Sequence, residues 1–263
     1  MLEEIARRIL SSRKTVAFTG AGISQASGIP AFRGGEGIWE KYNPFFYASL
    51  PGIILTFLLR PSSLASFFRE IVESILKALP NPTHLVLADW EKRGIISSVI
   101  TQNIDNLHQK AGSQQVIELH GNIYTLRCGK CLKRRKLKEE DLEEIVNILR
   151  EGTRHSLMEV YRRLSPSCEC GGKYRIHVVF FGESLPWEDF KKAEEEMLSS
   201  EVILLLGTSG MVEPARSLPL KARRGSVLIE INPSPTFYTP LVDYYLEGKA
   251  EIILPEMNKC LSN

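Results

Sequence analysis

Four of the five cysteines in the chain stand in two close pairs. Two residues separate Cys128 from Cys131, and one residue separates Cys168 from Cys170. Tetrahedral thiolate coordination of zinc uses such closely spaced pairs, and four protein ligands leave no coordination position open for chemistry. The spacing therefore predicts one structural zinc ion per chain, the alternative being four small buried side chains. Cys260 is left over and is predicted to be a free thiol.

Two glycine-rich turns follow apolar runs. Gly20 and Gly22 come after the run at residues 15–18, and a Gly-Thr-Ser-Gly turn at 207–210 follows the run at 202–206. Backbone N–H groups and hydroxyls in such turns can hold phosphate oxygens, which favours a dinucleotide ligand. The standard G-x-G-x-x-G fingerprint is absent, because Gln25 stands at its third glycine position. Ordinary strand-to-helix turns remain the alternative.

Polar side chains follow two further apolar runs. The segment Thr-Gln-Asn-Ile-Asp at 101–105 follows the run at 95–100, and His120 follows the run at 116–119. The carboxyl ends of parallel strands are where open α/β sheets bind their ligands, so these side chains are candidates for a site. A lone histidine in a surface or satisfied core position is the alternative interpretation of His120.

The elements that would position these groups form an α/β pattern. Short apolar runs alternate with helical patterns, which indicates a parallel sheet covered on both faces. An aromatic-rich segment at 34–79 predicts a helical insertion, and a charged helical stretch lies between the cysteine pairs. The predicted strands are at residues 15–18, 95–100, 116–119, 178–181, 202–206, 227–231 and 251–254.

Composition and charge exclude several classes of protein. The chain has 33 basic and 31 acidic residues, so its net charge of +2 gives no global field for nucleic acid or membranes. The longest apolar region, at 45–59, is broken by Pro51 and Gly52 and is shorter than the roughly 20 residues that span a bilayer. The N-terminal residues do not resemble a signal peptide, so a cytoplasmic location is expected.

A basic run lies beside the second cysteine. It could contact nucleic acid or an acidic partner, or it could be a solvated face of the zinc module. Its members are Lys130, Lys133, Arg134, Arg135, Lys136 and Lys138.

Taken together, these residues resemble the sirtuins, a family of NAD-dependent protein-lysine deacylases, in their short archaeal or bacterial form. The resemblance extends from residue 20 to about residue 254, and the cysteine pairs fall where sirtuins carry zinc. The motifs stand in the family's order: Gly20-Ala21-Gly22-Ile23-Ser24, Gly28-Ile29-Pro30-Ala31-Phe32-Arg33, Thr101-Gln102-Asn103-Ile104-Asp105, His120-Gly121, Phe181-Gly182-Glu183, Gly207-Thr208-Ser209 and Ile231-Asn232-Pro233.

The resemblance implies a fold and a division into domains. A Rossmann-like, doubly wound parallel sheet would occupy residues 1–33, 80–126 and 173–263. A smaller lobe would combine a helical insertion with the cofactor-binding loop, at 34–79, and a zinc-binding module at 127–172. NAD and an acyl-lysine would meet in the cleft between them.

The resemblance also implies roles for residues that would bind NAD, which is consumed as a co-substrate. Asp105 would hold the nicotinamide carboxamide, while Asn103 and Gln102 would fix the ribose and an ordered water. Phe32 and Arg33 would lie on the loop that closes over nicotinamide. The remaining predicted contacts are Gly20, Ala21, Ser24, Ile104, Gly207, Thr208 and Ser209 around the pyrophosphate and ribose, with Asn232 and Ala250 at the adenosine end.

In the implied reaction, the acyl amide oxygen displaces nicotinamide at the ribose C1′. Asn103 and His120 would be the catalytic residues, with His120 as general base on the ribose hydroxyls. The products would be lysine, nicotinamide and O-acyl-ADP-ribose. The acylated segment of a substrate protein, such as a chromatin or metabolic protein, would pair as an added strand with Val178, Val179, Phe181, Gly182 and Glu183. Direct binding to nucleic acid or membranes is not required.

One departure bears on the acyl group. Sirtuins that remove succinyl or malonyl groups carry Tyr-x-x-Arg in the helix before the P-N-x-x-H segment, whereas this chain has Phe68 and Ile71 there. An uncharged acyl group, acetyl or longer, is therefore expected. Three other functions remain open on the sequence: a zinc-ribbon regulator that binds DNA, a mono-ADP-ribosyl transferase, and a purely structural NAD-binding protein.

Overall fold

The computed structural model describes residues 1–31 and 37–261, and Phe32 and Arg33 lie outside them. The strands are β1 (Thr15–Thr19), β2 (Ser98–Thr101), β3 (Val116–Glu118), β4 (Gly121–Cys128), β5 (Arg134–Lys136), β6 (Tyr174–Val178), β7 (Val202–Leu206), β8 (Val227–Asn232) and β9 (Tyr244–Glu247). The helices are α1 (Leu2–Ser11), α2 (Ile38–Lys41), α3 (Pro44–Ala48), α4 (Leu50–Leu59), α5 (Pro61–Lys77), α6 (Pro82–Lys92), α7 (Leu107–Ala111), α8 (Glu139–Leu149), α9 (Arg154–Leu164), α10 (Trp187–Ser199) and α11 (Ala250–Cys260).

The chain divides into two compact units. The large unit comprises Met1–Ser27, Leu79–Leu119 and Leu185–Asn263, and the small unit comprises Gly28–Ala78 and His120–Ser184. This division differs from the one expected from sequence, which assigned residues 28–33, 120–126 and 173–184 to the larger domain and residue 79 to the helical insertion. Strands β4 and β6 lie largely in residues 120–126 and 173–184 and pair with each other in the small unit.

The large unit contains a parallel sheet of six strands in the order β3-β2-β1-β7-β8-β9. Counted within this sheet, the order is 3-2-1-4-5-6, the doubly wound order of dinucleotide-binding folds. All residues of β1 and β7 are buried, as expected for central strands covered on both faces. The predicted doubly wound α/β fold is confirmed.

Alternate residues along the strands enter two separate apolar clusters. Ala17 and Leu204 pack with α1, α6 and α11, whereas Phe18 and Leu205 pack with α10. The period of two along each strand thus buries both faces of the sheet. Helix α1 forms because its apolar residues recur at helical spacing, and Glu3 and Glu4 in its first turn favour the positive end of the helix dipole.

One expectation about strands in the large unit was wrong, and one strand was missed. Residues 251–254 lie in α11, where Ala250, Leu254 and Met257 are buried at the spacing of one helix face. The last strand is instead β9, which pairs with β8 at the edge of the sheet. β9 has only four residues, two of them tyrosines, so its sequence shows little of the apolar–polar alternation that predicts a strand.

The small unit contains an antiparallel sheet in the order β5-β4-β6. Residues 178–181 were expected to form a strand of the parallel sheet, but β6 ends at Val178 and pairs with β4. A strand was also missed between residues 127 and 173, because all three residues of β5 are basic and exposed. Helices α3, α4, α5, α8 and α9 pack beside one another in this unit.

The helical stretch predicted between the cysteine pairs is present as α8 and α9, which are separated at residues 150–153. None of the helices within residues 1–31 and 37–261 has both the length and the apolar character needed to cross a membrane.

Candidate functional site

The turns after β1 and β7 meet where the strand order reverses. Gly20 N–H donates to the Leu206 carbonyl at 3.0 Å, and Gly22 N–H donates to the Gly207 carbonyl at 2.8 Å. A Cβ on either Gly20 or Gly22 would lie 2.8 Å from the Gly207 oxygen, so a larger residue does not fit without movement. This reversal is where doubly wound sheets bind their ligands, and the sequence had placed both turns at the carboxyl ends of strands.

Asn81 fixes the short 3₁₀ turn Ala21–Ser27 that follows β1. Its Nδ2 donates to the Ile23 carbonyl at 2.7 Å and to Ser27 Oγ at 2.9 Å. Its Oδ1 accepts from Thr83 N–H at 3.0 Å and caps α6. The sequence analysis did not assign Asn81 to the site, although an Asn before a proline at a helix start was the available signal.

A buried chain of hydrogen bonds joins the residues after β2 to those after β1. Asn103 Nδ2 donates to Ser24 Oγ at 3.0 Å and to the Gly20 carbonyl at 3.2 Å. Ser24 Oγ in turn donates to Asp105 Oδ2 at 2.7 Å, and Asp105 Oδ1 accepts from Leu107 N–H at 3.0 Å. The structure therefore brings together three residues that the sequence assigned to one ligand.

One atom in this series of hydrogen bonds has no partner within the described part of the chain, and a carboxyl group lies next to it. Asn103 Oδ1 is buried and has no hydrogen-bond partner among the described residues. Burial raises the pKa of Asp105, while the N–H of Leu107 and the hydroxyl of Ser24 act in the opposite direction. A buried acceptor next to a buried carboxyl suits a ligand that offers hydroxyl and amide donors.

The ends of β2, β7 and β8 are linked through Thr208, which is itself buried. Gln102 Nε2 donates to Thr208 Oγ1 at 2.9 Å, and Asn232 Nδ2 donates to the Thr208 carbonyl at 2.9 Å. Ser209 follows in the same turn, and its carbonyl accepts from Phe237 N–H at 3.4 Å. Ile104 follows Asn103 and is half-buried, and Ala250 begins α11 just beyond β9.

His120 directly follows Leu119, whose N–H donates to the Thr101 carbonyl at 2.9 Å in the large unit. Within the small unit, the His120 carbonyl accepts from Val179 N–H at 3.0 Å. Gly121 has φ of 76°, and a Cβ there would lie 1.9 Å from the His177 carbonyl oxygen. The backbone that carries His120 is therefore tightly constrained on its C-terminal side.

The segment assigned to the substrate, residues 178–183, already uses several of its backbone donors. Phe181 N–H donates to the Ala48 carbonyl at 2.7 Å, and Phe180 N–H donates to the Glu183 carboxylate at 3.0 Å. Arg175 donates to both oxygens of Glu183, at 2.6 and 2.7 Å. The ring of Phe181 contacts Trp39, with ring centroids 6.0 Å apart. Gly182, with φ of 87°, makes the turn.

A buried histidine pair lies behind the site in the large unit. The rings of His84 and His108 are 5.0 Å apart, and His108 Nε2 lies 3.1 Å from Thr19 Oγ1. Burial lowers the pKa of His84 to about 4, and burial together with His84 lowers the pKa of His108 well below its usual range. Both rings are therefore neutral at neutral pH.

The four paired cysteines form one cluster in the small unit, with their Sγ atoms all within 4.8 Å of one another. The Sγ atoms of Cys128 and Cys170 are 3.5 Å apart, and those of Cys131 and Cys168 are 3.7 Å apart. A tetrahedral zinc site with Zn–S bonds of about 2.3 Å places its sulfurs about 3.8 Å apart, so the four thiols fit zinc.

The backbone around the cluster also suits a metal. Lys130 N–H donates to Cys128 Sγ at 3.4 Å, a contact that favours the thiolate form that binds zinc. A Cβ on Gly172 would lie 2.9 Å from Cys128 Sγ, so glycine is required where the chain passes the sulfurs. The structure therefore agrees with the predicted four-cysteine zinc site.

A family model described as the Sir2 family matches residues 20–214. The chain belongs to the Sir2 family. It is 41% identical over 259 residues to an NAD-dependent protein deacylase of Pyrococcus furiosus, and the match covers 98% of this chain and 96% of that protein. The resemblance seen in the motifs is thereby confirmed.

Solved Sir2 structures agree with this membership. A Sir2 homologue in complex with NAD has a TM-score of 0.76 and 35% identity, with 98% of this chain and 94% of that chain covered. A Sir2 variant with a deacetylated p53 peptide and 3′-O-acetyl ADP-ribose has a TM-score of 0.78 and 34% identity, with 98% and 97% covered. These matches confirm the prediction of an NAD-dependent protein deacylase.

Proposed function

We propose that this Sir2 protein removes uncharged acyl groups from lysine side chains of proteins and transfers them to ADP-ribose, using the residues gathered at the strand reversal and His120. The observation that carries the proposal is the buried chain from Asn103 through Ser24 to Asp105. NAD supplies the electrophilic ribose carbon and nicotinamide as the leaving group. The products are lysine, nicotinamide and O-acyl-ADP-ribose.

Asn103 and Asp105 orient the nicotinamide ribose end of NAD. Asp105 accepts from the carboxamide N–H, which suits a buried carboxyl group already held by Ser24 and Leu107. Asn103 Oδ1, free among the described residues, accepts from a ribose hydroxyl or an ordered water, and Gln102 assists it. Such fixed geometry matters because the acyl oxygen is a weak nucleophile, so positioning must contribute much of the rate.

The rest of NAD lies along the strand ends. Gly20, Ala21, Gly207, Thr208 and Ser209 offer backbone N–H groups and hydroxyls to the pyrophosphate. The contacts that bury Thr208 hold this turn in place. Asn232, Ala250 and Ile104 are assigned to the remaining length of NAD. Phe32 and Arg33 lie outside the described residues, and their role at nicotinamide stays a prediction from the sequence.

His120 acts as general base on the ribose hydroxyls, so that the 2′ oxygen attacks the acyl carbon. A neutral imidazole can accept a proton from a hydroxyl group, and general-base catalysis contributes roughly 10²- to 10⁴-fold. The constrained backbone at Gly121 supports this role because it limits the positions of His120.

The acylated segment of the substrate protein lies against Val178, Val179, Phe181, Gly182 and Glu183 as an added strand. Because the N–H groups of Val179 and Phe181 are engaged within the protein, the pairing relies on the carbonyl groups of this segment and on Gly182. Recognition through the backbone selects the side chains around the acyl-lysine only weakly. The nature of the substrate proteins, chromatin or metabolic, and a cytoplasmic location remain predictions from the sequence.

The preference for uncharged acyl groups rests on Phe68 and Ile71, which replace the tyrosine and arginine of desuccinylating sirtuins. Both residues lie in α5, where the ring of Phe68 contacts Phe67 at 5.4 Å between centroids. No cation is therefore available at these two positions to pair with a carboxylate on the acyl chain.

A panel of peptides tests this proposal. We expect wild-type protein to remove acetyl, butyryl and myristoyl groups in an NAD-dependent reaction, and to act on the succinyl peptide at a small fraction of those rates. The double variant Phe68→Tyr with Ile71→Arg should gain desuccinylation while retaining its zinc. Desuccinylation by wild type at a rate close to that of deacetylation would contradict the acyl assignment, and transfer of ADP-ribose mass to the peptide would indicate a transferase instead.

A further inference from the structure

Arg175, in β6 of the small unit, contacts both ends of the segment 178–183 that the proposed function assigns to the substrate. Its Nη1 and Nη2 atoms donate to the two carboxylate oxygens of Glu183 at 2.6 and 2.7 Å. Nη2 also donates to the Val178 carbonyl at 3.1 Å. One guanidinium group therefore joins the residue at which the segment begins to the residue at which it ends.

The Glu183 carboxylate also contacts the backbone inside the segment. Its Oε2 accepts from Phe180 N–H at 3.0 Å, and Glu183 N–H donates to the Phe180 carbonyl at 3.0 Å. The guanidinium of Arg175 lies over the Phe180 ring, 5.9 Å from its centroid. Side chains and backbone therefore fix the same turn, in which Gly182 has a φ of 87°.

The geometry of this ion pair separates it from an ordinary surface pair. Exposed ion pairs contribute little on average, whereas bidentate arginine–carboxylate pairs are stronger and more specific in geometry. The Glu183 side chain is only 18% exposed. Burial raises the pKa of Glu183, but the hydrogen bonds from Arg175 and from Phe180 N–H outweigh burial, and the pKa lies below its usual range. Glu183 is therefore ionised at neutral pH.

The segment has few backbone contacts of its own with neighbouring elements. Strand β6 ends at Val178, and the described backbone bonds beyond it are those from Val179 to the His120 carbonyl and from Phe181 to the Ala48 carbonyl. A loose segment loses conformational freedom when a peptide pairs with it. Its apparent affinity is reduced by the fraction of molecules that are in the competent conformation. A contact that orders the segment in advance therefore favours peptide binding.

From these contacts we propose that Arg175 is a positioning residue for the acylated substrate. It fixes segment 178–183 through Glu183, so that the peptide meets a strand edge that is already formed. This inference rests on the proposed function, which assigns the segment to the substrate. Because Arg175 acts on the peptide only through the segment, it changes the affinity for the peptide and leaves the steps at the ribose unchanged.

The first test is the kinetics of Arg175→Gln, with the acetyl-lysine peptide and NAD varied separately. The KM for the peptide should rise about tenfold, whereas kcat and the KM for NAD should stay within about twofold of wild type. Arg175→Lys keeps the charge but not the planar fork, so the peptide KM should rise only about threefold. Fluorescence anisotropy of a labelled acetyl-lysine peptide measures the same loss of affinity without turnover.

A matched control removes a different arginine from the same unit. Arg163 of α9 pairs with Glu144 and Glu159, and its side chain is 42% exposed, compared with 46% for Arg175. Arg163→Gln should leave the peptide KM unchanged, because none of these ion pairs involves segment 178–183.

A double variant tests whether Arg175 acts through Glu183. Glu183→Gln should itself raise the peptide KM. Adding Arg175→Gln to it should raise the KM further by less than about threefold, since residues that act through one contact are not additive. The full tenfold effect in the Glu183→Gln protein would contradict this route.

Hydrogen exchange separates ordering of the segment from general stability. Backbone amides in residues 178–183 should exchange faster in Arg175→Gln, while zinc content and Tm remain those of wild type.

Several results would overturn the proposal. They are an unchanged peptide KM and peptide affinity in Arg175→Gln, an equal rise in the KM for NAD, an equal loss in Arg163→Gln, or unchanged exchange in the segment. A lower Tm without a change in the peptide KM would mean that Arg175 is only structural. Wild-type protein that binds and deacylates no peptide would instead contradict the proposed function on which this inference rests.

Discussion

Ser24 Oγ donates a hydrogen bond of 2.7 Å to the carboxylate of Asp105, although the two residues are 81 positions apart in the sequence. The bond joins the turn after β1 to the turn after β2, and Asn103 adds a second link through Ser24 Oγ. Both residues are buried. No basic side chain donates to the Asp105 carboxylate in the described hydrogen bonds. We therefore expect this buried carboxyl group to bind a ligand.

Replacing Asp105 with Asn should separate activity from stability. Burial raises the pKa of Asp105, so the ionised carboxylate lowers the stability of the folded protein. This penalty becomes smaller as pH falls toward the raised pKa. The amide removes that penalty, so Tm at neutral pH should stay equal or rise. Turnover should fall by about 10²-fold or more, because a charged acceptor for nicotinamide is lost.

Thermal unfolding and NAD-dependent turnover check this pair of outcomes, with Asp89→Asn on the surface of α6 as the control. An Asp105→Asn protein with wild-type turnover would remove Asp105 from the proposed site. A large fall in Tm would show that the carboxylate has a structural role instead.

The zinc cluster should be necessary for folding of the small unit. Cys131→Ser removes one of four ligands, and because metal binding is coupled to folding, both the zinc content and the cooperative unfolding of this unit should be lost. Cys260→Ser is the matched control, since Cys260 lies in α11 of the large unit and is not one of the four clustered cysteines. Elemental analysis and calorimetry provide the readouts. Unchanged unfolding after complete removal of zinc would contradict a structural site.

Gly121 should tolerate no side chain. Gly121→Ala places a Cβ 1.9 Å from the His177 carbonyl in addition to its positive φ of 76°, so the loss of unfolding free energy should be several kcal/mol. Gly225→Ala has a similar φ of 91° with no atom within 4 Å, and should cost only about 1–2 kcal/mol. Urea unfolding of the two variants measures the difference. Equal losses would mean that the contact with His177 relaxes freely.

Buried His84 should make the protein less stable in mild acid. Its pKa is lowered by burial to about 4 from 6.5, so the unfolded chain takes up a proton below pH 6.5 while the folded chain does not until about pH 4. This contribution to stability is complete above pH 6.5 and is lost as pH falls toward 4, by at most about 3 kcal/mol.

His84→Asn should therefore flatten the decline in unfolding free energy between pH 7 and pH 5 compared with wild type. His155→Asn, at an exposed position on α9, is the control and should follow the wild-type decline. Identical pH profiles for wild type and His84→Asn would show that His84 is protonated in the folded protein.

The parallel sheet was predictable because its central strands are continuous apolar runs. β1 and β7 were found nearly residue for residue, and the glycines after them mark the strand reversal. The strands that were missed lack this signal: β5 consists only of exposed basic residues, and β9 is a short edge strand. Residues 251–254 looked like a strand because four residues cannot separate helical from strand periodicity.

The residues proposed for the site could be chosen from the sequence, whereas the hydrogen bonds that join them could not. Asn103, Asp105 and Ser24 were chosen by motif, but the path through Ser24 Oγ depends on side-chain positions that only the tertiary structure defines. Asn81 was overlooked for the same reason, since its two donors reach a turn more than fifty residues earlier. The cysteine spacing, in contrast, was sufficient to predict the zinc site, because two closely spaced pairs of thiols are typical of zinc coordination.

The most direct test of the proposed activity is turnover of an acetyl-lysine peptide by wild type and by His120→Ala, with and without NAD, following nicotinamide release and peptide mass together. We predict that wild type removes the acetyl group only when NAD is present, releases one nicotinamide for each lysine formed, and that His120→Ala loses this reaction while remaining folded. Full deacetylation by His120→Ala, or nicotinamide release without loss of the acetyl mass by wild type, would contradict the account.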